Sequence, residues 1–393
     1  MAFTLSNETK LLLKYFSETK YKISHKNNIL HKIYQDISIA YNFIQEQKEN
    51  IQLNINENNT KNIHQTIPNN IRKNINNLKY NLSYNFILFN RSINIFFFFN
   101  QKITTKIIHK FNNFIYLMFT WLYICYQSNL TDLCSTSLNI YIYLTSNLKE
   151  LPIQHNLTLG VNNANTALTA KCSNIIIFRK EEWFKVFIHE TMHNFNLDFS
   201  LMNDDYKIKI LKLFNVNSDV NLYESYVEFW ARILNCCFIS FLSSKNLNNF
   251  ISKTKQLISN EIYYSTFQLV KVLNYMNLNY YELCHNKNKT KQNYSEETNI
   301  LSYYIITTIL INNYEDFLFW CDENNSSLYN FKKTIKNINN FCNFIKIYYL
   351  QENLLNNISK CENIFFSLTE KINKNSSINF ILNNLRMTIY ELQ

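Results

Sequence analysis

Glycine and proline are almost missing from this 393-residue sequence, which has one glycine, Gly160, and two prolines, Pro68 and Pro152. Phosphate-binding and dinucleotide-binding loops, the glycine-rich loop of kinases and the G-x-S-x-G turn of serine hydrolases each need two or more glycines close together. EF-hand calcium loops need a glycine inside an acidic stretch, and Gly160 has no such surroundings. The sequence therefore excludes these sites and makes nucleotide-dependent chemistry by the common loops improbable.

The rest of the composition is that of a folded protein from an AT-rich genome. Hydrophobic residues make up 47% and charged residues 17% of the chain, as in globular rather than disordered proteins. Asn, Ile, Lys, Tyr and Phe are abundant, which is the bias that AT-rich codons produce. We expect Asn to occupy positive-φ turn positions that glycine usually takes, because Asn tolerates the left-handed region well.

Positive charge is concentrated in the N-terminal third. Residues 1–113 carry fifteen Lys and Arg against six acids, whereas the net charge of the whole chain is +10. A basic region of this kind favours nucleic acid or another anionic partner. No run of consecutive Lys or Arg occurs, however, so we interpret these lysines as a solvated helix surface and keep nucleic-acid binding as an alternative.

The nine cysteines follow no disulfide or metal-binding spacing, and no C-x-x-C is present. The first residues lack the apolar segment of a signal peptide. We therefore expect reduced thiols and an intracellular, cytoplasmic location. The longest apolar run, 114–126, has about thirteen residues against the roughly twenty of a membrane span, which predicts a buried helix.

The residue pattern predicts an α+β fold that is mainly helical, with a small sheet in the middle of the chain. Residues 1 to about 130 have helical spacing of apolar residues. The predicted strands are 138–144, 156–161 and 174–178. From Lys180 the spacing is helical again to the end. We divide the chain into a helical N-terminal region, a central core and a helical C-terminal region, at 1–135, 136–245 and 246–393.

The segment with recognisable chemistry is His189-Glu190-Thr191-Met192-His193. Residues four apart lie on one face of a helix, so the two imidazoles can bind one Zn²⁺. Glu190 projects from an adjacent strip, from which its carboxylate can reach a water on the metal without being a ligand. The neighbouring residues are apolar almost all round the helix, which predicts a buried and dry setting.

A third ligand has to come from further along the chain. A third His six residues after His193 is one known pattern, but that position is Phe199. A Glu from a second helix is the other, and Glu224 and Glu228 lie four residues apart in a helical segment. We assign Glu224 as the ligand and Glu228 as a residue that orients a ligand His, and the reverse assignment stays open.

Several other side chains compete for roles in this site. Asp198, Asp204 and Asp205 are further acids, which we interpret mainly as loop caps, although Asp198 is placed to hold a ligand imidazole from behind. A donor to a tetrahedral intermediate is also required. The candidates for it are Tyr223, Tyr226, Tyr303 and Tyr304. Cys284 and His285 are adjacent, and we interpret them as part of a loop rather than a metal site.

His189-Glu190-x-x-His193 with a downstream Glu-x-x-x-Glu resembles the gluzincin metallopeptidases. The longer string from Arg179 to Ser200 is similar to H-E-x-x-H proteins of mimivirus-like giant DNA viruses. The resemblance covers about residues 138–240 and implies a zincin-like sheet, whose edge strand pairs with substrate backbone, over an active-site helix. The viral resemblance implies host cytoplasm or the virion as the location.

The function predicted from these observations is zinc-dependent hydrolysis of a peptide or protein substrate. His189, His193 and Glu224 would hold the zinc and Glu190 would act as general base. The alternative is a non-catalytic zincin-fold protein that binds nucleic acid or a protein partner through its basic N-terminal third.

Overall fold

The computed structural model describes residues 5–16, 28–56, 63–130, 137–152, 158–202, 206–371 and 376–392. Within these ranges the strands are β1 Gln52–Asn56, β2 Tyr80–Leu88, β3 Arg91–Phe99, β4 Ser137–Tyr143, β5 Ala167–Leu168 and β6 Ile175–Ile177. The helices of the first half are α1 Asn7–Phe16, α2 Asn28–Glu46, α3 Asn69–Asn76, α4 Thr105–Ser128, α5 Val161–Ala164, α6 Trp183–Asn194 and α7 Tyr206–Leu211. Those of the second half are α8 Leu222–Ser243, α9 Leu247–Tyr275, α10 Tyr280–His285, α11 Lys287–Asn293, α12 Thr307–Asn312, α13 Tyr314–Asn324, α14 Ile335–Tyr348, α15 Glu352–Thr369 and α16 Ser376–Asn383. A 3₁₀ turn spans Lys48–Asn50, and a π-helical turn spans Leu301–Ile306 and leads directly into α12.

The described strands form one mixed sheet in the order β1-β2-β3-β4-β6-β5. β2 and β3 form an antiparallel hairpin closed by Phe89 and Asn90, both at positive φ, as a two-residue hairpin turn with the twist of its strands requires. β3, β4 and β6 are parallel, and the long helix α4 makes the crossover from β3 to β4. β5 lies at an edge of the sheet, antiparallel to β6.

The two faces of the sheet carry cores of different size. Alternate residues such as Ile93, Ile95 and Phe97 point into the large core, which contains α4, α6, α8 and α9. Residues of opposite parity, such as Phe98, pack under α3 in a much smaller cluster. The parity of each strand residue therefore decides which core it enters, and α6 is buried because it lies on the thicker side.

The C-terminal segment 384–392 has no regular structure, yet most of it is buried. Its backbone is bound by side chains of the core: Glu182 accepts from the amides of Met387 and Thr388, and Glu261 accepts from the amide of Ile389 at 3.0 Å. These carboxylates accept hydrogen bonds from backbone amides that burial removes from water. In a sheet, the carbonyl groups of a neighbouring strand have this role.

The prediction of a mainly helical α+β fold is confirmed, with 61% of the described residues in helices. The strands expected at 138–144 and 174–178 are confirmed as β4 and β6. The strand expected at 156–161 is wrong where residues are described, because Leu159 forms only an isolated bridge and Val161 begins α5. The run 114–126 lies in the buried helix α4, as predicted, and no described helix is both long enough and apolar enough to cross a membrane.

The expectation of helices alone before residue 130 is also wrong, because β1, β2 and β3 lie there. The sequence of β3 ends in four consecutive Phe, and a short apolar run does not distinguish a buried strand from a buried helix.

The prediction that the cysteines are reduced needs one correction. Seven described cysteines are free, but Cys172 is disulfide-bonded, and the spacing of cysteines along a chain does not reveal which of them are close in space.

Candidate metal centre

Helix α6 follows β6 by a short turn and presents His189, Glu190 and His193 from its C-terminal half. The helix ends at Asn194, and Asn196, two residues later, has a φ of +52°. The amide of Leu197 donates to the carbonyl of Met192 at 2.9 Å, and the amide of Asn196 donates to His193 at 3.0 Å. These two bonds define a Schellman C-cap with Asn in the left-handed position. The chain therefore reverses immediately after His193.

The side chains of His189, His193 and Glu224 converge on one point. The two Nε2 atoms lie 3.1 Å apart, and Oε2 of Glu224 lies 3.1 Å from Nε2 of His189 and 3.3 Å from Nε2 of His193. Ligand atoms at about 2.1 Å from a tetrahedral zinc are separated by about 3.4 Å. The three atoms are thus spaced as one ion requires, and these residues could hold a metal ion.

Glu228 lies one turn after Glu224 on α8 and contacts the other nitrogen of His189. Its Oε2 is 3.0 Å from Nδ1 of His189. Lys185 donates to both carboxylate oxygens at 3.0 and 3.1 Å, and Arg232 donates from Nε at 2.8 Å. Burial would raise the pKa of Glu228, but the adjacent Lys185 and Arg232 charges hold it well below its ordinary value. Glu228 is therefore an ionised acceptor that fixes the ring of His189.

His193 is held in the same way by Asp198. Its Nδ1 makes a short contact with Oδ2 of Asp198, which the turn after α6 brings behind the ring. Oδ1 of Asp198 accepts from the amide and the hydroxyl of Ser200, at 2.9 and 2.8 Å. Both imidazoles thus have a carboxylate on Nδ1 and direct Nε2 at the common point. Such outer carboxylates usually set the tautomer and orientation of metal-binding His.

Glu190 points to a different part of the site. Its residue is 9% exposed and, among the described residues, it has no hydrogen-bonding partner for its carboxylate. Glu190 lines a small cavity of about 30 Å³. His189, Tyr303 and residues 164–167 also line this cavity. That volume is enough for one or two waters. Burial raises the pKa of Glu190, as is expected for a carboxylate that has to accept a proton.

Of the four tyrosines singled out from the sequence, Tyr303 reaches the cluster with its hydroxyl. It donates to Oε2 of Glu224 at 3.1 Å, and it lies on the π-helical turn. Tyr226 and Tyr304 donate instead to the backbone carbonyls of Tyr329 and Leu385. The ring of Tyr223 lies against the His193 ring, with centroids 5.9 Å apart.

Two other sequence predictions concern residues away from this centre. Cys284 and His285 belong to the short helix α10 rather than to a loop, and Nδ1 of His285 is 3.0 Å from the carbonyl oxygen of Tyr281. Asp204 and Asp205 lie outside the described residues.

Sequence reasoning missed the cations that hold Glu228. Lys185 is one turn before His189, and Arg232 is one turn after Glu228, so helical spacing alone could have found both. The next members of the buried network, Glu182 and Lys149, are 2.7 Å apart, with Glu182 also 3.8 Å from Lys185. Spacing could not have indicated Lys149, because a long connection separates it from α6.

Comparison of the chain with protein-family models, with curated proteins and with solved structures gives no match. Membership of the gluzincins and the similarity to viral proteins therefore stay predictions. What can be said about function comes from the geometry of the site itself.

Proposed function

We propose that this protein is a zinc-dependent peptidase. The observation that carries the proposal is the convergence of His189, His193 and Glu224 on one point, with the carboxylate of Glu190 beside it. A merely structural zinc site is usually closed by four protein ligands. Among the described residues only three ligand atoms converge here, and the neighbouring carboxylate of Glu190 is not one of them, which leaves it available as a general base. That combination is typical of a catalytic centre.

His189, His193 and Glu224 would hold the metal, while Glu228 and Asp198 keep the imidazoles in position. Zinc in such a site polarises the scissile carbonyl and lowers the pKa of a water towards neutrality. Glu190 takes a proton from the attacking water, whose oxygen bonds to the carbonyl carbon. It then passes the proton to the amine as the C–N bond breaks. The hydroxyl of Tyr303 is near enough to donate to the oxygen that gains negative charge.

The edge strand β5 supplies a place for an extended peptide. It has a partner on one side only within the described sheet, and residues 164–167 line the cavity next to Glu190. A substrate strand that pairs with this edge would lie across the site, with its backbone bound and alternate side chains facing the protein.

The segment that leads into β5 is joined to the segment that precedes the π-helical turn of Tyr303. Residues 158–165 are joined to residues 295–298 by a backbone bond from Glu297 to Leu159 at 2.9 Å and by a contact of 2.8 Å between the hydroxyls of Thr158 and Ser295. The cavity beside Glu190 is far too small for a peptide. We infer that these two segments separate when a substrate enters.

The test is the substitution Glu190→Gln, which keeps the size of the side chain and removes the base. Cleavage of an unfolded protein substrate should fall by roughly 10² to 10⁴, the range of general-base catalysis. Zinc content, measured by mass spectrometry, should stay close to one per chain. Glu323→Gln makes the same substitution at an exposed glutamate and is the matched control.

The same two measurements, cleavage activity and zinc content, distinguish the peptidase from the alternative function. A non-catalytic protein that binds nucleic acid through the basic N-terminal third would be inert both as wild type and as Glu190→Gln, and its affinity for nucleic acid would fall steeply with salt. Full activity in zinc-loaded Glu190→Gln would contradict the mechanism, and a folded wild type without zinc would contradict the proposal as a whole.

A further inference from the structure

A second cavity, of about 350 Å³, lies at the carboxyl ends of the three parallel strands. Phe99 is the last residue of β3, Leu144 directly follows β4, and Lys180 comes three residues after the end of β6. All three line the cavity. Open sheets commonly bind small ligands outside the carboxyl ends of parallel strands. The volume is within the usual range for a small-molecule site.

Aromatic residues form one wall of this cavity. Phe99, Phe111, Phe114 and Trp183 all line it, and each is no more than 4% exposed. Trp183 uses its indole N–H to donate to the carbonyl of Leu392 at 3.1 Å. The wall is therefore apolar and well fixed, and it suits the flat face of a ring.

The charged residues that line the cavity are two lysines. Lys110 lies in the second turn of α4, and its Nζ is 5.6 Å from the centre of the Phe114 ring. Neither Lys110 nor Lys180 forms an ion pair with a carboxylate of the described residues. Burial, together with the neighbouring charge of Lys180, lowers the pKa of Lys110. An anion between the two ammonium groups would relieve their repulsion.

The acidic residues beside this cavity contact other groups rather than the two lysines. An adjacent cavity of about 270 Å³ shares Lys180 and is lined by Glu8, Glu181 and Glu391. The hydroxyl of Ser377 donates to Glu8 at 3.3 Å. Glu391 pairs with Arg386 at 3.3 Å, and Glu181 accepts from the side chain of Asn384 at 2.6 Å. The other polar residues that line the 350 Å³ cavity are neutral: Asn74, Asn77, Asn100, Gln101, Thr145 and Ser146. Its charge is thus positive, with neutral donors around it.

We propose that this pocket binds a small organic anion, with its carboxylate or phosphate between Lys110 and Lys180 and a flat ring against the aromatic wall. The site is separate from the candidate metal centre, and its occupation does not require zinc or hydrolysis. Because a carboxylate and a phosphate monoester are both anions of suitable size, the experiment has to distinguish the two.

Isothermal titration of the whole 393-residue chain tests the proposal with four probes. Indole-3-acetate and adenosine monophosphate each combine a ring with an anion, whereas indole and inorganic phosphate each supply one part alone. We expect one of the two organic anions to bind with a Kd below about 1 mM, and both partial probes to bind at least tenfold more weakly. The organic anion that binds identifies the ligand class, that is, the ring and the anionic group together.

The double variant Lys110→Met/Lys180→Met should lose at least tenfold in affinity, since a hydrogen bond to a charged group contributes a factor of roughly 10 to 100. Lys106→Met removes an exposed lysine from the same helix and should change the affinity less than twofold. In the wild type the ligand should also protect Lys110 and Lys180 from acetylation, read by peptide mass spectrometry. Binding of neither organic anion, or undiminished binding by a folded double variant, would overturn the proposal.

Discussion

The two glutamates of α8 should respond differently to the same substitution. Glu228 is 1% exposed, and its carboxylate contacts Lys185, Arg232 and His189 at 2.8 to 3.1 Å. The side chain of Glu224 is 12% exposed, and its contacts are the two imidazoles and the hydroxyl of Tyr303. Glu228→Gln therefore removes the nearest negative charge from two buried cations, although Lys185 keeps Glu182 at 3.8 Å. Glu224→Gln instead removes a candidate ligand atom at the more open end of the site.

The expected magnitudes follow from this difference. Removal of one member of a buried ion pair costs about 3 to 5 kcal/mol, so metal-free Glu228→Gln should lose that much free energy of unfolding. Its zinc affinity should fall tenfold to hundredfold, as for other residues that orient a metal-binding His. Glu224→Gln should lose less than about 2 kcal/mol of stability without metal, but its loss of zinc affinity should be the larger of the two.

Urea unfolding of the metal-stripped proteins at pH 8 measures the first quantity, and competition with a chromophoric zinc chelator measures the second. Glu323→Gln again serves as the control. If Glu228→Gln loses more zinc affinity than Glu224→Gln, the roles of the two residues are swapped. If neither variant changes zinc binding, the cluster is not a metal centre, and the stability loss of Glu228→Gln would show only that the ion network supports the fold.

Two further predictions concern pH and access to the site. Burial raises the pKa of Glu261 to about 7, so the folded chain keeps a proton there that the unfolded chain releases above about pH 4.5. The free energy of unfolding should thus fall by up to about 3 kcal/mol as the pH rises from 4.5 to 7. Glu261→Gln should remove that part of the slope, and equal slopes in urea titrations would contradict it. A disulfide between Thr158→Cys and Ser295→Cys should abolish cleavage of a protein substrate until a reductant is added. Each single variant should stay active under the same oxidant. Activity in the cross-linked protein would show that these segments do not gate the site.

Local spacing was enough to predict the contacts made within one or two helical turns. His189 and His193 share a face of α6 because they are four residues apart, and Glu224 and Glu228 share a face of α8 for the same reason. The position of Asp198 behind His193 follows from a chain reversal of only a few residues. Which of the two glutamates faces Nε2 depends on how α8 is rotated against α6, and the sequence alone left that choice open.

Contacts between distant segments could not be predicted in this way. Glu182 binds backbone amides at Met387 and Thr388, more than two hundred residues later, and no periodicity relates these positions. The hairpin of β2 and β3 was missed for another reason. β2 has four consecutive buried residues, and β3 alternates at first but ends in three buried Phe, so neither strand shows a strict alternation along its whole length.

Asn replaces the scarce glycine at several positions with positive φ, and one of these positions affects the candidate metal centre. Three of the positive-φ residues are Asn90, Asn196 and Asn277, in positions that glycine commonly fills. Asn196, three residues after His193, is the left-handed residue of the cap that ends α6, and this reversal brings Asp198 to Nδ1 of His193. A helix that continued for another turn would carry Asp198 away from the ring, since residues five apart do not share a helix face. The C-cap therefore contributes to the candidate metal centre as well as to the helix, and the chain forms it with an Asn that tolerates the required backbone conformation.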